Sequence, residues 1–433
     1  MKMKKSLNIA IVGLGNIGSY LYKHLIKNKN NIEKKTNSKL FIKYVSAKNL
    51  NKRRKINVPK KKWLRNYLEA TKRSDVDIIV ELIGGSDGAA KKLVLEALKN
   101  RKHVVTANKA LISKHGDFLS KVAEKNKVNL EFEAAVAGGV PIIRAIKEGL
   151  ISNKINKIYG ILNGTSNYIL SQMLDKNINF KNVLKNAKNL GYAESNPSAD
   201  LNGDDAKSKI QILSSLAFNS LINAKKINVE GIKNIDNTDI QNAKTLGYKI
   251  KHLAIAELKN NKLIQRVHPC MLNKESYISN INGVLNAIII EGKPIGRFTI
   301  QGEGAGPGPT TSALVSDICS ILRGNIKYPF SIPFQNRKKI ISTDISKEIF
   351  SSYIRLDVLD KTGVLSSITK ILSKNKISVK RLIQNPFKSK KYASIIIISH
   401  KTKNSNLVKS ISELSNKKFV INKPKFLRIE EVE

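Results

Sequence analysis

The chain has few acidic residues and few aromatic ones. Of its 433 residues, 33 are Asp or Glu and 77 are Lys or Arg, which gives a formal net charge of +44. Such a charge is typical of nucleic-acid-binding proteins. Here, however, the lysines are scattered among many Asn and Ile residues, as AT-rich codon bias would produce, and aromatics make up only 6%. No basic helix, RNA-stacking motif or zinc-finger spacing concentrates the charge. We therefore expect no specific nucleic-acid partner, only non-specific electrostatic contact at low salt.

Cysteine and long apolar segments are also scarce. The two cysteines, Cys270 and Cys319, have neither metal-site nor redox spacing, so we expect both to be reduced and buried. No signal peptide precedes the first apolar run, and no uninterrupted apolar run is long enough to cross a bilayer. We expect a soluble cytoplasmic protein with no membrane partner and, at this length, two or three domains.

A glycine-rich turn follows the first apolar run. Residues 7–12 form a short, mostly apolar run, residues 13–18 read GLGNIG, and an amphipathic segment comes next. This strand, turn and helix order is typical of a Rossmann-type dinucleotide-binding domain, in which Gly13 permits the tight turn, Gly15 admits the pyrophosphate and Gly18 allows close helix packing. The phosphates would lie at the helix N-terminus. The predicted cofactor-binding residues of this turn are Gly13, Leu14, Gly15, Asn16, Ile17 and Gly18.

The second predicted strand, residues 40–47, lacks the acidic residue that would hold the ribose 2′-hydroxyl of NAD. Basic residues follow it instead, including Lys48 and Arg53. Cations at this position suit a 2′-phosphate, so we predict a preference for NADP, with NAD possible. The alternative is that these residues only share the basic bias of the whole chain.

Two further strands are predicted at residues 77–83 and 103–107. Ligands of open parallel sheets gather beyond the carboxyl ends of the strands. Lys109 is the sharpest candidate there, because a lysine at a strand end in a glycine-lined cleft has a specific use. The residues predicted to lie near a nicotinamide are Gly84, Gly85, Thr106, Asn108 and Lys109.

The stretch at residues 190–213 reverses the local charge of this basic chain. It contains Glu194, Asp200 and Asp205 together with Lys209. Apolar spacing predicts a helix opened by the acidic pair Asp204-Asp205, and on it Asp205 and Lys209 are four residues apart on one face. An ordinary surface ion pair is the alternative. The Gly/Pro-punctuated acidic loop favours a polar substrate, with Glu194 taking an ammonium group and Lys209 supplying a proton.

Four smaller features carry further hypotheses. Glu133 lies in a predicted strand, residues 129–136, where it either pairs with a cation or is a satisfied core acid. The glycine turn that follows exposes carbonyl oxygens, which are ligands for hard cations. A polar turn containing Gly164 and Thr165 is either a substrate contact or a capped helix start. His268 is expected to be structural.

The predicted fold class is α/β, in three parts. Residues 1–140 form the Rossmann-type domain, with a return segment at about residues 304–325 that carries Gly304 and Gly306. Residues 141–303 form an α+β catalytic and dimerisation domain with a mostly antiparallel sheet at 255–300. Residues 326–350 are a predicted linker, and residues 351–430 are a βαββαβ unit.

Several segments together resemble one enzyme family. GLGNIG, VVTANKAL, FEAAVAGGVPII, GILNGTSNYIL and GYAESNPSADLNGDDAKSKIQIL occur in the order seen in homoserine dehydrogenases, and the tail resembles an ACT domain. The resemblance implies NADPH- or NADH-dependent reduction of L-aspartate 4-semialdehyde to L-homoserine in threonine, methionine and isoleucine biosynthesis. It also implies a homodimer or homotetramer and a possible amino-acid effector at the ACT domain.

The resemblance also implies roles for particular residues. Lys209 would be the proton donor, Asp205 would orient substrate or a water, and Lys109 would lie near nicotinamide and substrate. The substrate would be held by Glu194, Asp200, Gly164 and Thr165. A monovalent cation, Na or K, would be bound by Glu133 with the backbone carbonyls of Val136, Gly138 and Val140.

The chain departs from the family pattern at two places. Asn196 stands where an acidic residue is common, and the turn at residues 360–363 lacks the usual proline. Two other hypotheses fit the sequence less well: a catalytically inactive amino-acid-sensing regulator on the same fold, and a dehydrogenase of a related aldehyde or amino acid.

Overall fold

The computed structural model describes residues 5–50, 52–222, 227–386 and 391–432. The helices are α1 Asn16–Lys27, α2 Lys29–Thr36, α3 Glu69–Lys72, α4 Ala89–Lys99, α5 Lys109–Lys125, α6 Ile142–Arg144, α7 Gly164–Lys176, α8 Phe180–Asn189, α9 Ser198–Asn202, α10 Asp204–Ala217, α11 Asn237–Thr245, α12 Pro307–Leu322, α13 Val364–Lys374 and α14 Asn404–Ser415. The strands are β1 Lys5–Val12, β2 Ser38–Ser46, β3 Trp63–Leu64, β4 Ile78–Glu81, β5 His103–Thr106, β6 Leu130–Glu131, β7 Lys154–Ile161, β8 Asn228–Val229, β9 Tyr248–Lys259, β10 Lys262–Asn273, β11 Leu285–Lys293, β12 Gly296–Glu303, β13 Ile341–Ser342, β14 Ile349–Leu359, β15 Val379–Pro386, β16 Tyr392–Ser399, β17 Thr402–Lys403 and β18 Lys425–Ile429.

The first sheet is parallel and follows the order β3-β2-β1-β4-β5-β6. Its central strands β1, β4 and β5 are mostly buried on both faces because helices cover both sides. Alternate residues of β1 show this: Ile9 and Ile11 pack with α1 and with the distant helix α12, whereas Ala10 and Val12 pack with α4 and α5. The predicted Rossmann-type sheet is therefore confirmed.

The strand predicted at residues 129–136 is wrong in its extent. β6 ends at Glu131, and residues Glu133–Ala135 form a 3₁₀ turn. The chain turns because Glu133 is tied on both sides: its backbone N–H donates to Asp317 at 3.0 Å, and its carboxylate accepts the N–H groups of Ile143 and Arg144 at 2.9 and 2.7 Å. The apolar run reflected a buried turn.

The second sheet follows the order β12-β11-β7-β9-β10-β18-β14-β16-β15. Neighbours from β12 to β10 are all antiparallel, which confirms the predicted antiparallel sheet in this half of the chain. The C-terminal unit runs β14, α13, β15, β16, α14, β18, the predicted βαββαβ order, around its own apolar core.

The segment between these two units, residues 326–350, is anchored to the rest of the molecule. The buried Arg337 guanidinium donates to Asp117 at 2.6 Å and to Ser215 Oγ at 2.7 Å, and it lies 4.0 Å from the Phe330 ring centroid. β13 adds a parallel pairing with β10. These contacts fix the position of the segment against α5, α10 and β10.

The two cysteines differ in their surroundings. Both are free thiols; Cys270 is buried as expected, whereas Cys319 is only half-buried because α12 exposes part of its outer face. The expectation of burial was therefore wrong for Cys319. Within the described ranges, none of the helices combines the length and apolar character needed to cross a membrane.

Candidate active site

The glycine turn between β1 and α1 contains two glycines that the protein itself requires. Gly13 has φ +110°, and a Cβ there would lie 2.3 Å from the Leu82 carbonyl oxygen. A Cβ at Gly18 would lie 2.0 Å from the Gly13 oxygen, whereas one at Gly15 meets nothing within 4 Å. The space at Gly15, beside the N-terminus of α1, therefore suits the approach of a pyrophosphate.

The other residues of this turn differ in their exposure to solvent. Gly15 and Asn16 are exposed, Ile17 is half-buried and Leu14 is buried under the loop. Such a loop combines an accessible backbone with a fixed base.

The basic residues after β2 divide into exposed side chains and one anchoring side chain. Lys48 and Arg53 are exposed. The neighbouring Arg54 donates to the carbonyl oxygens of Leu14 at 2.9 Å and Asn49 at 2.6 Å. Arg54 therefore holds the glycine turn, a role that the basic bias of the sequence concealed.

A buried carboxylate organises the ends of β4 and β5. Glu81 accepts the Gly84 N–H at 3.1 Å and the Thr106 hydroxyl at 2.5 Å. The Asn108 side chain donates to the Gly85 carbonyl at 2.7 Å. Gly84, Gly85, Thr106 and Asn108 are therefore brought together as predicted from the strand ends. Glu81 itself was missed; its signal is an acid at the end of an otherwise apolar strand.

Two lysines from different parts of the chain bracket one aspartate. Asp205, whose side chain is 6% exposed, lies 2.8 Å from Lys209 Nζ and 2.7 Å from Lys109 Nζ. Lys209 also donates to the Leu162 carbonyl at 2.6 Å. Lys109 is the first residue of α5 in the nucleotide-binding domain, and Asp205 and Lys209 lie on α10. The site is thus built across the junction of the two domains.

The charges in this cluster stabilise one another. Burial opposes ionisation of Asp205, but Lys209 and Lys109 outweigh it and hold the pKa of Asp205 well below its usual range. Burial likewise acts against the Lys109 ammonium, but Asp205, with smaller contributions from Asp200 and Glu194, raises the pKa of Lys109. Burial raises the pKa of Asp200. At neutral pH the cluster therefore holds ionised Asp205 and charged Lys109.

Asn163 connects the acidic residues to the start of α7. Its amide donates to Asp200 at 2.7 Å and to Asp205 at 2.9 Å, and its oxygen accepts the Ser166 N–H at 2.8 Å. The polar turn is thus a capped helix start that also reaches the cluster. The Asn-Gly-Thr-Ser turn was visible in the sequence. That Asn163 would bind Asp200 and Asp205 was not.

The residues around Asn163 position the adjoining loops. The Thr165 hydroxyl donates to the Tyr192 carbonyl at 2.6 Å, and a Cβ at Gly164 would lie 2.6 Å from the Val284 carbonyl. Glu194 lies exposed two residues beyond Tyr192. Gly164 and Thr165 thus fix the backbone of the loops beside the Asp205 cluster, and Glu194 lies exposed on one of these loops.

The loop that carries the candidate cation ligands is compact. Glu133 is 3% exposed, and burial raises its pKa to about 7 against the opposing backbone hydrogen bonds. Gly138, at φ +28°, packs so closely that a Cβ would lie 2.8 Å from the Gly304 carbonyl, and the Val140 carbonyl accepts the Ile142 N–H at 2.7 Å. Val136 is fully buried.

Gly304 and Gly306 lie where the chain enters α12. A Cβ at Gly304 would lie 2.2 Å from the Asn286 side chain, and Gly306, at φ +110°, is the N-cap of α12. The described part of the chain contains no cluster of three or more His, Cys, Asp or Glu side chains able to hold a metal. A cation in this region would therefore depend on backbone carbonyls.

Comparisons with known proteins agree with this arrangement. A family described as "Homoserine dehydrogenase, NAD binding domain" matches residues 13–133, "Homoserine dehydrogenase" matches residues 141–319, and "ACT domain" matches residues 352–417. The homoserine dehydrogenase of Neisseria gonorrhoeae is 38% identical, covering 95% of each chain. That of Helicobacter pylori is 38% identical over 99% of this chain and 100% of its own.

A solved structure extends the similarity to three dimensions. The crystal structure of a homoserine dehydrogenase from Thiobacillus denitrificans is 34% identical, covers 98% of each chain and has a TM-score of 0.90. These matches span the nucleotide-binding, catalytic and ACT parts together, and they support homoserine dehydrogenase activity rather than an inactive regulator on the same fold. The chain belongs to the homoserine dehydrogenase family of oxidoreductases.

Proposed function

We propose that this chain reduces L-aspartate 4-semialdehyde to L-homoserine with Lys209 as the proton donor. The observation that carries the proposal is the bracketing of buried Asp205 by Lys109 and Lys209 at the domain junction. Asp205 orients both ammonium groups, because its buried carboxylate forms an ion pair with each of them.

Proton transfer follows from the contacts of Lys209. When bound, a reduced nicotinamide would supply a hydride for the aldehyde carbon. The carbonyl oxygen then gains negative charge, which a preorganised cation stabilises before it delivers a proton. Lys209 Nζ contacts Asp205 and the Leu162 carbonyl, which engages two of its N–H groups. The third N–H would donate to the substrate oxygen.

The remaining polar groups suit the amino-acid part of the substrate. Glu194 and Asp200 would hold its ammonium group, and Gly164 and Thr165 would form the wall beside it. Lys109, whose side chain is 43% exposed, would face both nicotinamide and substrate.

The cofactor proposed for this site is NADPH, with NADH as a second possibility. The turn at residues 13–18 would hold the pyrophosphate, and Lys48 and Arg53 would contact the 2′-phosphate. The nicotinamide would lie near Gly84, Gly85, Thr106 and Lys109, with Gly304 and Gly306 closing the same side. The exposure of Lys48 and Arg53 beside the anchored Arg54 supports the NADP preference.

A monovalent cation, Na or K, is proposed at Glu133 and the carbonyls of Val136, Gly138 and Val140. Its positive charge would offset the burial that raises the pKa of Glu133. By resemblance to its family, we further propose a cytoplasmic homodimer or homotetramer acting in threonine, methionine and isoleucine biosynthesis, with an amino-acid effector bound at the ACT domain.

NADPH oxidation in the presence of aspartate semialdehyde tests the proposal. We expect turnover with this aldehyde and a higher kcat/KM with NADPH than with NADH. Arg53→Ala should reduce this preference for NADPH. Replacing Na or K by a large organic cation should lower activity if the cation site is used. No turnover despite tight NADPH binding would refute the proposed reaction.

A further inference from the structure

The last strand of the ACT unit is also a strand of the catalytic sheet. β18 pairs antiparallel with β14 and parallel with β10, where Cys270 and Met271 face Arg428 and Ile429. The C-terminal unit is therefore joined to the catalytic domain by shared backbone hydrogen bonds. Two charged residues, Arg428 in β18 and Glu430 directly after it, add side-chain contacts to this connection.

Glu430 forms a buried ion cluster with β10. Its carboxylate accepts from Arg266 Nε at 2.7 Å and Nη2 at 2.9 Å, and it lies 2.9 Å from His268 Nε2. The exposed fractions of Glu430, Arg266 and His268 are 6%, 4% and 0%. Burial opposes its charge, but Arg266 and His268 hold the pKa of Glu430 well below its usual range, so it is ionised at neutral pH.

Arg428 makes a second connection from the same strand. It donates to Glu230 at 2.9 Å and to Asn404 of α14 at 2.8 Å. The Glu230 backbone is itself held by β10, because its N–H donates to the Val267 carbonyl at 2.8 Å. Arg428 and Glu430 thus fix β10 and residue 230 together.

Both fixed segments lie against the turn that presents Asp205. A Cβ at Gly203 would lie 3.0 Å from Val229, 3.2 Å from Val267 and 3.3 Å from His252. Val267 lies between the two β10 residues that hold Glu430. Gly203 is the N-cap of α10, so it immediately precedes the two aspartates.

The segment after Glu230 is equally close. A Cβ at Gly231 would lie 2.2 Å from the Leu201 carbonyl, and the Ile232 N–H donates to that same carbonyl at 2.9 Å. The lack of room for even one added carbon shows that the two backbone segments are closely packed, so a displacement of residues 230–232 is transmitted to Leu201.

We propose that Glu430 and Arg428 are positioning residues for the reaction: from the ACT unit, they set the turn at Gly203 and so place Asp205 between its two lysines. The inference rests on the proposed function. It makes the end of the ACT unit a structural part of the active site, in addition to any effector that the unit binds.

Glu430→Gln in the full-length chain tests the inference. It keeps the shape of the side chain but removes the charge that holds Arg266. Because small misplacements far from the reacting atoms reduce turnover strongly, we expect kcat to fall by about 10-fold or more, with NADPH binding unchanged. Glu430→Asp, which restores the charge, should recover part of the loss.

The matched control is Glu431→Gln. Glu431 is the next residue, and its carboxylate pairs with Lys401 at 2.6 Å on the surface, where the two side chains are 64% and 59% exposed. We expect wild-type turnover from this variant. Arg428→Lys should lower kcat in the same direction as Glu430→Gln.

The pH profile separates positioning from simple loss of folded protein. Displacement of Asp205 lowers the pKa of Lys109, so the basic limb of kcat/KM moves to lower pH in Glu430→Gln. A smaller folded fraction lowers kcat/KM by the same factor at every pH and leaves the basic limb where it is. Turnover and basic limb equal to those of Glu431→Gln would overturn the inference.

Amide hydrogen exchange keeps the two proposals distinguishable. If the wild-type protein does not turn over the aldehyde, the proposed function fails, but exchange at residues 203–209 still reports the turn. We expect faster exchange there in Glu430→Gln, or in Glu430→Asp if Glu430→Gln does not fold, than in Glu431→Gln. Equal exchange rates would overturn the positioning role.

Discussion

Replacement of Lys209 by methionine is the most direct perturbation of the site. Methionine fills a similar volume without an ammonium group, so the variant removes the proposed proton donor and leaves the helix intact. Asp205 keeps Lys109 at 2.7 Å and does not become an isolated buried charge. The variant loses both hydrogen bonds of the ammonium group, to Asp205 and to the Leu162 carbonyl. At about 1.5–3 kcal/mol for each hydrogen bond to a charged group, the stability loss should be about 3–6 kcal/mol.

The kinetic effect should be much larger than the effect on cofactor binding. A positioned general acid contributes roughly 10²–10⁴-fold to rate, which corresponds to about 3–5 kcal/mol of barrier. Lys209 contacts Asp205 and the Leu162 carbonyl, and neither belongs to the glycine turn. We expect kcat to fall by at least about 10²-fold and the NADPH dissociation constant to stay within about twofold, well under 1 kcal/mol.

Steady-state kinetics with aspartate semialdehyde and a fluorescence titration with NADPH measure the two quantities separately. Lys207→Met is the control, because Lys207 lies on the same helix, is half-buried and points to another face. A Lys209→Met enzyme with wild-type kcat, or one that loses kcat only through weaker NADPH binding, would refute the proton-transfer role.

Three other substitutions test the electrostatics and the glycine turn. Asp205→Asn removes the charge that raises the pKa of Lys109, so the basic limb of kcat/KM should move to lower pH; an unmoved limb would contradict the coupling. Gly13→Ala should lower the free energy of unfolding by about 1–3 kcal/mol from backbone strain alone, with a further loss from the clash with Leu82, measured by denaturant titration. Gly15→Ala should leave unfolding within about 0.5 kcal/mol of wild type yet weaken NADPH binding; normal binding would show that no phosphate approaches Gly15.

The features predicted correctly from the sequence are those set within one element or between neighbours along the chain. The strand, glycine turn and helix at the start follow from local periodicity and from the conformational needs of Gly13. The βαββαβ order of the last unit follows in the same way. The strand predicted through Val136 was wrong because burial of a turn produces the same apolar run as burial of a strand.

Other features depend on residues that are distant in sequence. Glu81, Arg54 and Asn163 were not recognised as organising residues, because each acts on partners whose proximity no local pattern records. Glu430 is a further case: its partner Arg266 lies 164 residues away.

The sequence by itself determined most of the strands and helices, the glycine turn and the pairing of Asp205 with Lys209. The last of these follows because backbone hydrogen bonding fixes the geometry of residues four apart on a helix. Only the tertiary structure decided that Lys109 completes this pair and that β18 braces the turn beneath it. Those contacts join separate elements, and their geometry comes from how the sheets and helices pack, a property of the whole chain rather than of any segment.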